Sequence, residues 1–388
     1  MSSPPQPALA LVATSARSLV ECAVGSGYPA FALDVFADRD TCRLARACVA
    51  VGRGGATLDE SELLAALAAL RARGDVAGWV AGSGLEAQPA LLAAAARVLP
   101  LIGNAPEVVR RVRTPVHFHQ ALERLGIAHP AFSAAPPVDP SGWLRKDAHA
   151  CGGWHVRHAG AAAVHGVLGA LGAGGGDGIH FQRYVAGEPM SCLFLAAGEG
   201  ATVVGHSRQI VRPLGRRPFV FRGGVGPVPL EARVQASLAG AATALTRAFG
   251  LRGLNGIDYV LDAAGTPWVL ELNPRPTAAI QLFGAAFEGG LMRAHVEACA
   301  GRLRPPVPSG VGGVRGYETV FARRAGRLDE AAVHWLERQG WCKDIPQPGT
   351  QHAWGDPLCT VVAEASSADA VMRQLDARRR ALRAQLQS

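Results

Sequence analysis

"GLNGIDYVLDAAGTPWVLELNPRPTA", residues 253–278, sets three polar side chains, Asp258, Glu271 and Asn273, into two apolar runs. The two-residue period of a strand puts Asn255, Ile257 and Tyr259 on one face of the first run and Gly256, Asp258 and Val260 on the other. In the second run Glu271 and Asn273 share a face, and "DAAGTP" between the runs reads as a hairpin turn. If the runs pair, the three side chains converge as oxygen ligands without a histidine. That donor set suits Mg²⁺ (or Mn²⁺), which binds through one or two carboxylates and the phosphates of a nucleotide. Solvent exposure of all three would leave the tight apolar flanks unexplained.

Upstream, one residue type stands out. Of 39 basic side chains only two are lysines, Lys146 and Lys343. In so arginine-rich a background a lysine is unusual, and a compact ammonium on a flexible stem suits a phosphate where a guanidinium fork is no equivalent. Lys146 ends a strand-like run just before Gly152 and Gly153, so an ammonium and backbone N–H groups can close over a phosphate chain together. With 47 glycines in the chain, a plain hairpin turn explains the pair about as well. After a glycine-rich connection at 172–178, "FQRYVAGEPMS" gives a strand, a short linker carrying Glu188, and a second strand. Glu188 is either a ribose ligand or an ordinary turn glutamate.

Towards the N-terminus, "ALALVA" (8–13), the helical "TSARSLVECAVGSGY" and "PAFALDVF" make a β-α-β start. The helices "DESELLAALAALRARG" and "AQPALLAAAARVLP" flank the strand "AGWVAGS" (77–83), and this alternation argues a parallel sheet covered on both sides. The first turn, "ATSARS", has no GxGxxG, which speaks against a nicotinamide dinucleotide and against Asp34 as its ribose ligand. Segment 114–130 reads as an amphipathic helix closed by Gly126; its His117 and His119, two residues apart, point to different faces and share no metal.

Composition narrows the classes further. Apolar residues make up 49% and charged residues 18%, which excludes a disordered chain. No apolar run approaches the roughly 20 residues of a membrane-spanning helix, and the first residues lack the basic flank of a secretion signal, so a cytoplasmic location without membrane partners is expected. The eight cysteines are scattered with no CxxC pair, as befits reduced thiols, and structural zinc is not expected. The net charge of +8 is spread along the chain. Its densest clusters, 208–222 and 377–383, carry no nucleic-acid-binding signature, and the latter reads as the solvated face of a terminal helix.

Taken in order, Lys146, Gly152-Gly153, "QRYVAGE", Asp258 and "ELNPRP" resemble the ATP-grasp superfamily over roughly residues 105–300. The "ELNPRP" hairpin with its upstream Asp is the specific part. The resemblance implies an α/β N-terminal domain, α+β ATP-grasp lobes and a small C-terminal extension. Its boundaries fall at 1–104 (a Rossmann-like domain), 105–186 (the small lobe with a glycine lid), 187–305 (the large lobe with the metal site) and 306–388, which looks like the closing segment of the biotin-carboxylase-related branch.

It also implies roles. Lys146 would hold the nucleotide phosphates, Gly152 and Gly153 would form the lid, Gln182, Arg183, Tyr184 and Val185 the adenine hinge, and Glu188 the ribose contact. Asp258, Glu271 and Asn273 would bind the metal ions, and Arg275 would steady the γ-phosphate or an acyl phosphate. One departure stands out: many members carry a further lysine ahead of the helix at 114–130, where this chain has "RVRTPVHF" and only Arg113 to substitute. The expected activity is an ATP-dependent carboxylate–amine ligase acting on small molecules. Arg208 and Arg222, within an arginine-rich stretch, are candidate contacts for an acidic substrate such as glutamate; a solvated basic loop explains them equally. A link to tetrahydromethanopterin or methylofuran C1 metabolism, and a homodimer, are further expectations. A biotin-type carboxylase and a non-catalytic Mg-ATP-binding protein are the alternatives.

Overall fold

The computed structural model describes residues 6–52, 57–161, 178–307 and 313–386. Of the glycine-rich connection at 172–178, only Gly178 lies among them.

The chain opens as the alternation predicts. β1 (Ala8–Ala13), α1 (Arg17–Gly25), β2 (Ala30–Asp34), α2 (Arg39–Leu44), β3 (Ala47–Ala50), α3 (Glu60–Arg73), β4 (Val76–Ala81) and α4 (Pro89–Val98) follow one another. The strands form a parallel sheet in the order β3-β2-β1-β4, and every residue of β1 is buried. α3 starts where the Asp59 carboxylate accepts the Glu62 N–H at 3.0 Å and stops at Gly74, whose φ of 77° suits glycine. Asp34 serves the local backbone, its carboxylate accepting the N–H groups of Ala16 (3.2 Å) and Ala37 (2.6 Å).

Two helices follow, α5 (Pro106–Arg113) and α6 (Pro115–Arg124), each entered through a proline, which lacks only an N–H that the first turn does not use. β5 (Phe132–Ser133), β6 (Trp143–Asp147), β7 (Arg157–His158) and β8 (Ile179–Arg183) make a small antiparallel sheet in the order β5-β8-β6-β7. Leu144 lies opposite Gln182 and Lys146 opposite His180, so these four side chains share one face.

The largest sheet is antiparallel. It is built from β9 (Glu188–Ala197), β10 (Gly200–Val211), β11 (Phe221–Gly226), β12 (Gly253–Leu261) and β13 (Pro267–Asn273), with α7 (Ala232–Phe249) packed on one side and α8 (Leu291–Cys299) further along the chain. β14 (Val314–Phe321) joins the same sheet. After β15 (Gly326–Arg327), α9 (Glu330–Arg338), β16 (Cys342–Lys343), β17 (Gln351–His352), β18 (Pro357–Ala365) and α10 (Ala368–Leu386), the strand order reads β13-β12-β9-β10-β11-β14-β18-β16, with β15 and β17 paired apart. β14, β18 and β16, all after residue 306, therefore extend the sheet that carries β9 to β13. The chain then returns to its start: Arg17 Nε lies 2.8 Å from Asp344 Oδ1, and the Asp40 carboxylate accepts the Asp344 and Ile345 N–H groups at 2.9 Å each. One core cluster joins Leu9, Leu11 and Leu19 to Leu193, Leu254 and Phe283, across the first and the largest sheets. No helix among the described residues is long and apolar enough to cross a membrane.

Candidate nucleotide and metal site

The hairpin forms as its alternation requires. β12 and β13 pair antiparallel, with Asp258 directly opposite Glu271 and Gly256 opposite Asn273. The Asp262 carboxylate organises the turn, accepting the N–H groups of Ala264 (2.9 Å) and Thr266 (2.8 Å) and the Trp268 indole N–H (2.8 Å). Asn273 Nδ2 donates to Asp258 Oδ2 at 2.9 Å, and Gln209 Nε2, from β10, donates to Asp258 Oδ1 at 2.8 Å. Asn255, on the other face, is structural: it accepts from Asn104 Nδ2 at 2.8 Å, and Asn104 also donates to the Pro274 carbonyl at 2.9 Å.

The two facing carboxylates differ in acidity. Burial, and then the charge of Glu271, raise Asp258 from 3.8 to about 6. Burial would raise Glu271 too, but Arg113, Lys146 and His155 outweigh it and bring that group to about 2. The donor set fits Mg²⁺: hard oxygens only, with two carboxylates whose mutual repulsion a divalent cation would relieve. Among the described residues no group of three or more His, Cys, Asp and Glu side chains gathers as a metal site, so further oxygens would have to come from a nucleotide or water.

Cationic groups line the opposite wall. Lys146 is buried and its Nζ donates to Gln182 Oε1 at 2.9 Å; burial lowers its pKa, against the pull of Glu271 and Asp258. Arg113, at the end of α5, is ion-paired with Glu271 and also donates to the carbonyls of Ala148 and Ala150 (the latter 3.2 Å), at the start of the glycine loop. Arg275 forms a buried pair with Glu86, Nε to Oε1 at 2.7 Å, while its Nη2 lies 3.4 Å from Asn273 Oδ1. Lys146, Arg113 and Glu271 thus line one pocket, and Arg275 follows the end of β13.

The loop bearing Gly152 and Gly153 lies against β11 and β14. Gly152 O accepts the Phe221 N–H at 2.9 Å, the Trp154 ring meets Phe321 edge-on at 5.2 Å, and the Arg217 guanidinium stands 4.9 Å over Trp154. In the expected hinge, the N–H groups of Arg183 and Tyr184 are bonded to the carbonyls of Ala131 and Gly142, both at 2.8 Å, whereas the Val185 N–H has no backbone partner among the described residues. Gln182 faces inward, donating towards the Leu270 carbonyl at 3.4 Å, and Tyr184 is exposed.

The remaining expected contacts are engaged elsewhere in part. Glu188 is ion-paired with Arg208, and each is more than one-third exposed. Arg222 does not join the hairpin: it is buried, donates to the Pro213 carbonyl at 2.6 Å and stands over Phe321 at 5.7 Å, near Glu318 and Arg379. Its place in a strand beside the C-terminal segment gives its side chain those partners rather than the cleft.

The sequence of residues 115–279 matches the family described as ATP-grasp domain. This segment is an ATP-grasp domain. No curated protein matches the chain. Several solved structures share the fold of nearly the whole molecule. The biotin carboxylase domain dimer of Hydrogenobacter thermophilus 2-oxoglutarate carboxylase, in complex with MgADP, ADP and bicarbonate, is 10% identical over 96% of this chain and 89% of that one, with a TM-score of 0.68. L-amino acid ligase from Bacillus licheniformis is 14% identical over 99% and 98%, at 0.64. N5-carboxyaminoimidazole ribonucleotide synthetase from Thermotoga maritima is 11% identical over 97% and 98%, at 0.63. Identities this low speak to the fold.

Sequence reasoning missed Glu86, Gln209 and His155. Glu86 belongs to a short turn, Leu85–Ala87, and meets Arg275 from 189 residues away, a distance no local pattern bridges. Gln209 was legible only as a polar residue in a strand, and His155 only as a residue of the loop after Gly152 and Gly153.

Proposed function

We propose that this protein is an ATP-dependent ligase that activates a small-molecule carboxylate as its acyl phosphate and joins it to an amine. The observation carrying this reading is the register pair Asp258–Glu271, with the Asn273 amide on Asp258, facing Lys146 and Arg113. Asp258, Glu271 and Asn273 would hold Mg²⁺, which when bound neutralises charge on the transferring phosphoryl group. Lys146 holds the phosphate chain. Gln182 to Val185 receive the base, with the Val185 N–H, which has no backbone partner among the described residues, as the hinge donor, and Glu188 meets the ribose. Arg275, fixed by Glu86, orients the carboxylate and then its acyl phosphate.

A substrate carboxylate oxygen attacks the γ-phosphorus, the bond to the β,γ-bridging oxygen breaks, and ADP leaves. The amine nitrogen then attacks the acyl carbon, loses a proton, and phosphate departs with the C–O bonding electrons. A lid carrying Gly152 and Gly153 excludes the water that would hydrolyse the intermediate. Among the arginines expected to meet an acidic substrate, Arg208 keeps an exposed position, so glutamate is a suitable first acid to test; the C1-carrier setting rests on the resemblance alone. The dimeric carboxylase neighbour supports a homodimer as the assembly to test for, and a carboxylase as the second reading.

The test begins with the thermal shift by Mg-ATP of the wild type, Lys146→Ala and Asp258→Asn. Saturation at 100 times Kd stabilises by about 2.7 kcal/mol, on the order of a few degrees. A wild-type shift that both variants lose supports the site; folded wild type that fails to shift removes it. ADP release that requires both an acid and an amine then identifies a ligase, whereas release stimulated by bicarbonate favours the carboxylase.

A further inference from the structure

We propose that His155, carried by the lid directly after Gly152, Gly153 and Trp154, is a direct ligand of the nucleotide's phosphate chain. This inference rests on the reading of the cleft as a Mg-ATP site.

The ATP-grasp resemblance implies a further lysine for the phosphate wall. Ahead of α6 the chain has no lysine, and Arg113, which reaches the wall from α5, already has its terminal nitrogens on Glu271 and on two lid carbonyls. An arginine so engaged holds the lid and a metal-ligand candidate in place; it is not free to take the missing lysine's part. His155 lines the same cavity as Lys146, Arg113 and Glu271, and its Nδ1 is buried with no hydrogen-bond partner among the described residues. A buried polar nitrogen left without a partner is costly and rare in a folded protein. Phosphate oxygens entering the cavity beside Lys146 would give it one.

Two more histidines line that cavity. His119, on α6, also has an Nδ1 without a partner among the described residues, but its ring is stacked on Phe132 at 4.2 Å. His180, opposite Lys146 in β8, has its Nδ1 3.1 Å from the Gly178 carbonyl. A carbonyl only accepts, so Nδ1 carries the proton and the neutral ring presents a bare Nε2, which repels a phosphate oxygen. His155 has no such constraint on its tautomer and can turn an N–H to the ligand. Burial lowers the pKa of His155 to about 3, so the N–H of a neutral ring is the donor it offers.

The experiment measures the Kd of Mg-ATP and of adenosine, by displacement of a fluorescent adenine nucleotide, for wild type, His155→Ala and His155→Gln, each first shown by circular dichroism to be folded. A hydrogen bond to a charged group lost in His155→Ala should weaken Mg-ATP by about tenfold to a hundredfold, while adenosine affinity changes by less than about twofold. His155→Gln, which keeps an N–H donor, should recover much of the loss. Equal Mg-ATP affinity in wild type and His155→Ala overturns the assignment and leaves the nucleotide site standing. Equal losses for Mg-ATP and adenosine also overturn it, because the side chain then acts on the base or on the lid's fold. Failure of wild type to bind Mg-ATP at all removes the nucleotide site and the assignment together.

Discussion

Asp258 and Glu271 occupy one register pair, yet their acidities part by environment. Asp258 sits at about 6, raised by burial and the facing charge, while Glu271 is drawn down to about 2 by Arg113, Lys146 and His155 despite its burial. For Asp258 the folded value lies above the ordinary 3.8, so between the two the folded state holds the extra proton and stability falls as pH rises. For Glu271 the folded value lies below 4.5, so its contribution is complete above 4.5 and is lost as pH falls towards about 2. A protonated Asp258 cannot bind a cation. Mg-ATP affinity by calorimetry should therefore be about tenfold weaker at pH 5 than at pH 7, and in Asp258→Asn that pH dependence should vanish along with most of the affinity. A flat wild-type profile would remove Asp258 from the metal site. Glu86 offers a second prediction at this scale. Its carboxylate is held below the usual range: burial opposes ionisation, but Arg275 and Arg113 prevail. Removing it leaves Arg275 buried without its counter-charge, so Glu86→Ala should lower stability by about 3–5 kcal/mol in urea unfolding, with the loss in Glu86→Gln smaller. A loss below about 1 kcal/mol would mean that Arg275 finds other partners.

Among the elements, the loop of Gly152 and Gly153, the proposed lid, depends on one backbone conformation. Gly153 has φ of 72°, and a Cβ there would overlap the Phe219 carbonyl oxygen, so the docked loop admits glycine alone. Gly153→Ala adds the cost of a left-handed alanine, about 1–2 kcal/mol, to that overlap, and should raise the Kd for Mg-ATP at least about fivefold while leaving the unfolding midpoint nearly unchanged. An unaltered Kd would show that nucleotide binding does not use the docked lid. The elements legible in the sequence were those whose periodicity is set by burial along the element itself: β1 falls on the quoted "ALALVA", and the hairpin on 253–273. Three-dimensional encounters were not legible. Arg113 and Glu271 are 158 residues apart, and α5, which delivers Arg113, carries no local sign of that partner. The arginine-rich stretch misled in the other direction: a run of like charges suggests a single shared role, whereas Arg212 pairs with Asp376, Arg217 covers Trp154 and Arg222 supports Pro213, leaving Arg208 alone near Glu188.

Across the whole molecule, the site stands where three sheets meet, and the chain's last segment closes the assembly on its first. Arg17 is nearly buried between Asp344 and Glu21, at 2.8 Å and 2.7 Å, and Lys343 reaches Glu21 at 2.9 Å. The Arg17 guanidinium holds Asp344 below the usual carboxylate range although burial acts the other way, so this clamp is strongest above that range and weakens as pH falls through it. β14 and β18 extend the sheet that carries Asp258 and Glu271, and one apolar cluster joins the first sheet to the largest. Neither end can leave without exposing the core of the other. Wild type should therefore unfold in urea as a single transition, coincident by far-UV circular dichroism and by tryptophan fluorescence. Asp344→Ala, which leaves buried Arg17 with Glu21 as its remaining ion-pair partner, should shift that transition down by about 3 kcal/mol without splitting it. Two separated transitions in the wild type would mean that the shared cluster and the clamp hold the N-terminal sheet less tightly than each unit holds itself, and the nucleotide site would then depend on Arg275 keeping Glu86 through an interface that opens on its own.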